Sequence, residues 1–148
     1  MGYILALIGL GLMVGFAGGG SAIGTSITGS SVLGMLRKRP DQFGPGMVLT
    51  AVPGTQGLYG FVGFFLYKAM LSPDLTILQG AIFLGAGLMM GTACFISGIF
   101  QGKVCANGIN AIGNGQDVFG KTMVLAAFPE FYAILSLIGA ILLLSVMK

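Results

Sequence analysis

The sequence predicts an all-α membrane protein: four transmembrane helices, arranged as two duplicated helical hairpins. Three observations carry this reading. The 148 residues are 55% hydrophobic and 7% charged, with mean hydropathy +0.98, whereas soluble domains carry about 25% charged residues. The apolar stretches leave room for four crossings of about 20 residues each, with no soluble domain left over. Finally, a shift of 76 positions lays the chain on itself without a gap. Gly9, Gly11, Gly15 and Ser21 meet Gly85, Gly87, Gly91 and Ser97; Asp41, Phe43, Gly44 and Pro53 meet Asp117, Phe119, Gly120 and Pro129. The two repeats are residues 1–72 and 73–148.

In chain order the spans run from Tyr3 to Leu36, Pro45 to Leu71, Leu75 to Gly113 and Gly120 to Met147. Polar turns at 37–44, 72–74 and 114–120 separate them. The first and third spans exceed 30 residues. At 1.5 Å per residue that is roughly 50 Å, more than the hydrocarbon core needs, so they protrude on the side of the first and third turns. The first span lacks a preceding basic region and outruns a signal peptide, so it reads as a retained helix. Arg37, Lys38, Arg39 and Lys121 flank the first and third turns, against Lys68 and Lys148 on the other side. The positive-inside rule then puts turns 37–44 and 114–120 in the cytoplasm and both termini outside, for a multi-pass protein.

Glycines four apart are dense in the first and third spans, among them Gly11/Gly15, Gly20/Gly24, Gly87/Gly91 and Gly98/Gly102. Small residues at this spacing let helix backbones approach closely in lipid. Two equivalent helices of this kind suit the inner circle of a ring of identical copies, with the bulkier second and fourth spans outside.

Composition excludes several chemistries. There is no histidine for catalysis or metal ligation. No nucleotide site is expected either: the string Gly115-Gln-Asp-Val-Phe-Gly-Lys-Thr122 fits the Gly-x4-Gly-Lys-Thr pattern, but it falls at a short polar turn between two apolar spans and not after a strand, the context a phosphate loop requires. The net charge of +3 follows the membrane sides and does not form a nucleic-acid surface. Cys94 and Cys105 lie eleven residues apart on one helix, so they cannot pair with each other and read as small buried side chains.

The chain's only glutamate, Glu130, sits inside the apolar stretch from Met123 to Met147. A carboxylate at the bilayer centre costs roughly 2.5–3.5 kcal/mol on insertion scales, and such residues mark ion or substrate paths. Pro53 and Pro129 occupy equivalent places and should each kink their helix, freeing backbone carbonyls. Irregular backbone at that depth is tolerated only where it is buried or lines a cavity. Val52, Gln56 and Tyr59 share a helix face with Thr55 beside them, and Gln101 lies at comparable depth in the third span. A hydroxyl, two amide carbonyls, a backbone carbonyl and one carboxylate suit a hard monovalent cation. Divalent ions want more carboxylates, softer metals want thiolate or imidazole, and a proton needs only the carboxyl group. Na⁺, with Li⁺ as a substitute, is the expected ion. Tyr59 can donate to Glu130 and hold it in its ligating form.

The segments Pro53-Gly-Thr-Gln-Gly-Leu-Tyr59, Gln101-Gly-Lys-Val104 and Glu130 followed by Tyr132-Ala-Ile carry a resemblance over essentially the whole chain. It resembles the ring-forming proteolipid (K or c) subunit of V-type and archaeal-type rotary ATPases, in the sodium-transporting form. The resemblance implies that Glu130 carries the ion, that Thr55, Gln56 and Gln101 ligate through side-chain oxygens and Val52 through its backbone carbonyl, and that Tyr59 steadies Glu130. It also implies the partners: identical copies in a ring, a stator membrane subunit with an essential arginine, central-stalk subunits at the cytoplasmic turns, and membrane lipids. ATP hydrolysis would then belong to a separate head, and this chain would be a non-catalytic translocating subunit. Gly54 stands where Glu130 stands in the second repeat, so four helices share one carboxylate. Fewer ions per turn give each ion more free energy, which favours a pump.

Three other readings compete. A proton-carrying rotor explains Glu130 but leaves Gln56 and Gln101 without a task. A small four-helix cation or multidrug antiporter would need an aromatic cage, yet the chain has no tryptophan, and this reading does not predict a duplication that lost a carboxylate. A channel-like oligomer would use Glu130 as a selectivity ring.

Overall fold

The computed structural model describes residues 1–147; Lys148 lies outside the described residues. Five α-helical segments follow one another: α1 Gly2–Leu36, α2 Phe43–Ala51, α3 Thr55–Lys68, α4 Ile77–Gly113 and α5 Phe119–Ser145. Short 3₁₀ turns occupy Pro40–Gln42 and Val52–Gly54. Helices α1, α4 and α5 are each long and apolar enough to cross a membrane. The second span is α2 and α3 joined through the turn at Pro53. No strand occurs among the described residues.

Several boundaries differ from the sequence reading. The second span is not one helix from Pro45 to Leu71, because Pro53 offers no N–H and the ladder tightens to 3₁₀ there before resuming; α3 then ends at Lys68. The third span begins at Ile77, because Thr76 and Gln79 form a reciprocal capping box. The fourth runs from Phe119 to Ser145 with no break in the helix at Pro129. The two prolines therefore differ in effect: only Pro53 interrupts its helix. Around Pro129 the Ser97 hydroxyl donates to the carbonyl of Pro129 (2.7 Å) and the Gln101 amide to that of Ala126 (2.8 Å).

Helices α1 and α4 lie side by side at the centre, with α3 packed on α1 and α5 on α4. The α1–α4 contact is backbone on backbone. A Cβ added at Gly9 would meet the carbonyl of Phe83, one at Gly87 the carbonyl of Gly9, and one at Gly24 the carbonyl of Gly98. Toward one end the core is built on Met13, Tyr67, Phe83 and Met90, all fully buried. The Tyr67 ring meets Phe83 edge to face at 5.1 Å, and its hydroxyl donates to the Ala140 carbonyl at 2.7 Å, tying α3 to α5. Toward the other end Met35, Leu49 and Ile109 form a second cluster. Cys94 and Cys105 are buried and free. At the tips, Lys38 Nζ donates to Asn114 Oδ1 at 3.0 Å, bringing the first and third turns together. Beside them Arg39 and Asp41 pair at 2.9 Å in the open. The guanidinium holds the Asp41 carboxyl well below the usual carboxylate range; exposed pairs of this kind contribute little to stability.

Two stability effects follow. Gly87→Ala drives a methyl into the backbone of Gly9 and should destabilise the fold by about 1–3 kcal/mol, the usual penalty of overpacking. Tyr67→Phe keeps the ring but loses the hydroxyl bond, and should cost about 1 kcal/mol. Thermal unfolding in detergent, followed by circular dichroism, measures both; an unchanged midpoint for Gly87→Ala would contradict the close α1–α4 approach.

Candidate ion-binding site

The 3₁₀ turn at Val52–Gly54 and the start of α3 face α4 and α5 near the middle of both helices. From α3, Gln56 enters the interior and is fully buried; from α4, Gln101 is fully buried opposite it. Gln56 Nε2 donates to Gln101 Oε1 at 2.6 Å and to Ser97 Oγ at 3.0 Å. Gln101 Nε2 in turn donates to Glu130 Oε2 at 3.1 Å and to the Ala126 carbonyl. The other carboxylate oxygen, Glu130 Oε1, accepts from the Tyr59 hydroxyl at 2.6 Å. Three helical segments thus meet in one chain of hydrogen bonds, Gln56 to Gln101 to Glu130 to Tyr59. Glu130 and Tyr59 are half-buried, so the cluster reaches the outer surface of the chain between α3 and α5.

One atom in this chain has nothing to bind. Both N–H bonds of the Gln56 amide are engaged, and its oxygen Oε1 is buried without a hydrogen-bond partner among the described residues. Leaving a buried acceptor unmade costs about 1–3 kcal/mol, and such an orphan calls for an explanation by an ion or water. It belongs to the chain of hydrogen bonds that reaches the Glu130 carboxylate through Gln101, a setting that suits a cation. No group of three or more Cys, Asp or Glu side chains gathers anywhere in the described residues, so the cluster offers one negative charge among neutral oxygens.

The remaining expected ligands lie one turn away. Thr55 Oγ1 donates to the Val52 carbonyl at 3.0 Å, and the Thr55 N–H bonds the same carbonyl. The Val52 oxygen is therefore not freed by Pro53, as the sequence suggests; both its lone pairs are engaged locally. The hydrogen bonds that join Gln56, Gln101, Tyr59 and Glu130 do not include the Val52 carbonyl.

Ser97 is the residue that sequence reasoning missed. It links two parts of the site, accepting from Gln56 and donating to the Pro129 carbonyl. A signal for it exists: Ser97 precedes Gln101 by four positions and so shares its helix face. Its repeat counterpart Ser21 also bonds beside a proline turn, accepting from the N–H of Gly57 at 2.8 Å. In the first repeat Thr25 and Gly54 stand where Gln101 and Glu130 stand in the second, so no equivalent carboxylate site forms there.

Comparison with known proteins adds an independent line. The chain is 39% identical over 142 residues to the V-type sodium ATPase subunit K of Enterococcus hirae, covering 96% of this chain and 91% of that protein. It is 43% identical over 141 residues to the A-type ATP synthase subunit K of Methanocaldococcus jannaschii, covering 95% of this chain; it spans 62% of that relative's length. The 16 kDa proteolipid of the human V-type proton ATPase is 26% identical over 138 residues, with 93% of this chain and 89% of that protein covered. The ATP synthase subunit-C family matches residues 8–67 and again residues 84–143. With that family met twice over most of its length, this multi-pass membrane chain belongs to the ATP synthase subunit-C family.

Proposed function

We propose that this protein is the membrane rotor-ring subunit of a V-type rotary ATPase and that each copy carries one Na⁺ on Glu130, in the site built by Gln56, Gln101, Thr55 and the Val52 carbonyl. The observation that carries the choice of ion is Gln56 Oε1, a fully buried acceptor left open in the hydrogen-bonded chain that leads through Gln101 to Glu130. A proton would settle on Glu130 and leave that oxygen unmet. A monovalent cation uses it. The similarity to a relative named a sodium ATPase subunit supports the same choice.

In this reading each side chain has one task. Glu130 supplies the charge that balances Na⁺, and the neutral pair crosses lipid at far lower cost than a bare carboxylate. Tyr59 and Gln101 each hold one carboxylate oxygen and fix its orientation. Ser97 fixes the Gln56 amide so that Oε1, and not the NH₂, faces the ion. The Thr55 hydroxyl turns from the Val52 carbonyl, and the two oxygens, 3.0 Å apart, then face the ion together. Li⁺, another small hard cation, is the natural substitute. An arginine on the stator subunit displaces Na⁺ as each site passes, and central-stalk subunits hold the turns at 37–44 and 114–120. Those turns face the cytoplasm and the termini the outside of the cell membrane, with lipids around the ring. ATP is hydrolysed in a separate head, and this chain is non-catalytic. The repeats 1–72 and 73–148 share one carboxylate, so each turn of the ring moves few ions against a steep gradient.

Labelling by a hydrophobic carbodiimide, which attacks a protonated membrane carboxyl, tests the ion directly. Glu130 is expected to be the labelled residue, with Na⁺ slowing labelling at fixed pH. Gln56→Ala removes a ligand worth about 1–3 kcal/mol, so roughly 10–100-fold more Na⁺ should be needed for the same protection. Labelling that responds to pH and ignores Na⁺ would make the cargo a proton. Separately, Glu130→Gln should abolish ATP-driven ²²Na⁺ uptake into vesicles holding the whole complex, while the subunit still inserts and assembles; retained uptake would remove Glu130 from the path.

A further inference from the structure

At one depth along its helices the chain presents two different surfaces. Two contacts fix that depth in the second repeat. Gln101 of α4 bonds the Ala126 carbonyl of α5, and a Cβ added at Gly108 would meet Thr122. Between those levels α5 exposes Val124 and Leu125, each by more than half. Over the same interval α4 exposes Lys103 and Asn107. Asn110 is the next exposed residue of α4, so every exposed side chain from Gln101 to the end of that helix is polar. On the other side of Gln101 the exposed residues of α4 include Leu88, Met89, Ile96 and Phe100. The surface of α4 therefore changes polarity at the level of the candidate ion site.

The first repeat keeps the pattern. Gly24 packs against Pro53 and Gly46 against Val32, which brackets the matching interval. Within it α2 exposes Met47, Val48 and Ala51, whereas α1 exposes Ser26 and Ser30. The Ser30 hydroxyl returns to the Ser26 carbonyl at 2.9 Å, and nearer the tip α1 exposes Leu33, so α4 carries the stronger signal. With 3.6 residues per turn, Lys103 and Asn110 lie about 180–200° around α4 from Gln101, and Ser26 lies about 200° around α1 from Gly24. The polar surface is thus the side of α1 and α4 turned away from α2, α3 and α5.

One bilayer level cannot suit both surfaces. A lysine turned to hydrocarbon is costly, and lysines inside membranes face the bundle interior or a water-filled cavity. A long lysine side chain can extend toward the interface, and that freedom alone would accommodate Lys103, whose ammonium lies 4.8 Å from the centre of the Phe100 ring. Asn107 and Asn110 are too short for it. Val124 and Leu125, by contrast, fit acyl chains. We infer that the α1–α4 side borders water from Lys103 to the tips, while the α2–α5 side borders lipid at the same depth. This rests on the ring reading above, with α1 and α4 as the inner circle. The inside of the ring then holds an aqueous vestibule about 15 Å deep, the rise of α4 from Lys103 to Gly113. Its floor lies level with Gln101, where Lys103 of each copy sets one positive charge, and Ile96 and Phe100 border the apolar medium below. The ion site stays sealed from this water, because Gln101 is fully buried and its amide is turned to Ala126 and Glu130.

Thiol modification reads the boundary, because a thiol reacts as its thiolate and apolar surroundings suppress that form. The chain's own Cys94 and Cys105 are buried and set the background. Single variants of the full chain, assembled and reconstituted in lipid vesicles, are exposed on both membrane faces to an anionic methanethiosulfonate that does not cross lipid. Asn107→Cys and Asn110→Cys should be modified within about tenfold of the rate of Gln116→Cys at the tip, and Val124→Cys and Leu125→Cys about 100-fold more slowly. An assembled Asn107→Cys as slow as Leu125→Cys would overturn the vestibule and leave the ring standing. Fast modification of Leu125→Cys would overturn it as well, since the two sides would then share one medium. The first repeat answers independently: Ser30→Cys should react fast and Met47→Cys slowly, and the reverse order would overturn the proposal. Native mass of the same samples separates the two readings. Single copies there would defeat the ring, and the vestibule with it.

Discussion

The close approach of α1 and α4 is the constraint on which the rest of the structure depends. Where glycines such as Gly9, Gly87, Gly24 and Gly98 touch, the helices meet without intervening side chains. Lipid tails are as apolar as leucine, so helices in a bilayer gain little from hiding hydrophobic surface from each other. Close packing and hydrogen bonding hold them instead. With α1 and α4 locked at this spacing, α3 and α5 come near enough across them for Tyr67 to reach Ala140 and for Tyr59 to reach Glu130. A wider centre would separate both pairs, and the second of them is part of the candidate ion site.

Two prolines at equivalent places stand in different surroundings. Around Pro129, Ser97 and Gln101 donate to the carbonyls of Pro129 and Ala126, and the helix runs on. At Pro53 the backbone tightens instead, and the Thr55 hydroxyl bonds back onto Val52. Ser21, the counterpart of Ser97, meets a backbone N–H there and not a carbonyl. The same fold position therefore gives a continuous helix that presents a carboxylate in one repeat and a broken helix that presents an amide in the other. The site needs one of each.

Much of this was legible in the residues. Hydropathy and the offset of 76 positions pointed to the hairpins, and a lone glutamate in an apolar span pointed to the hydrogen-bonded cluster now proposed as the site. Tyr59, Gln56 and Gln101 were found because each is a polar side chain at the depth of Glu130. What could not be read was how the polar groups pair. Ser97 is a common residue in a membrane helix, and only its contact with both Gln56 and Pro129 sets it apart. Likewise Val52 was expected to be free on the general effect of proline, whereas the geometry of one turn engages it. Periodicity tells which face a residue shares; it does not tell which lone pair is left over.

Covalent fusion of two hairpins relaxes a symmetry requirement. In a ring of identical single hairpins, each would present one face to its left and the matching face to its right, and every junction would be the same. Every substitution would be made at all of them at once. Here the junction inside the chain and the face turned outward draw on different residues, Gly20 and Gly24 on one side and Ile96 and Phe100 on the other. Each can change without the other. Gly54 can thus stand without a carboxylate while Glu130 carries one, and a change on one side of the chain need not be answered on the other.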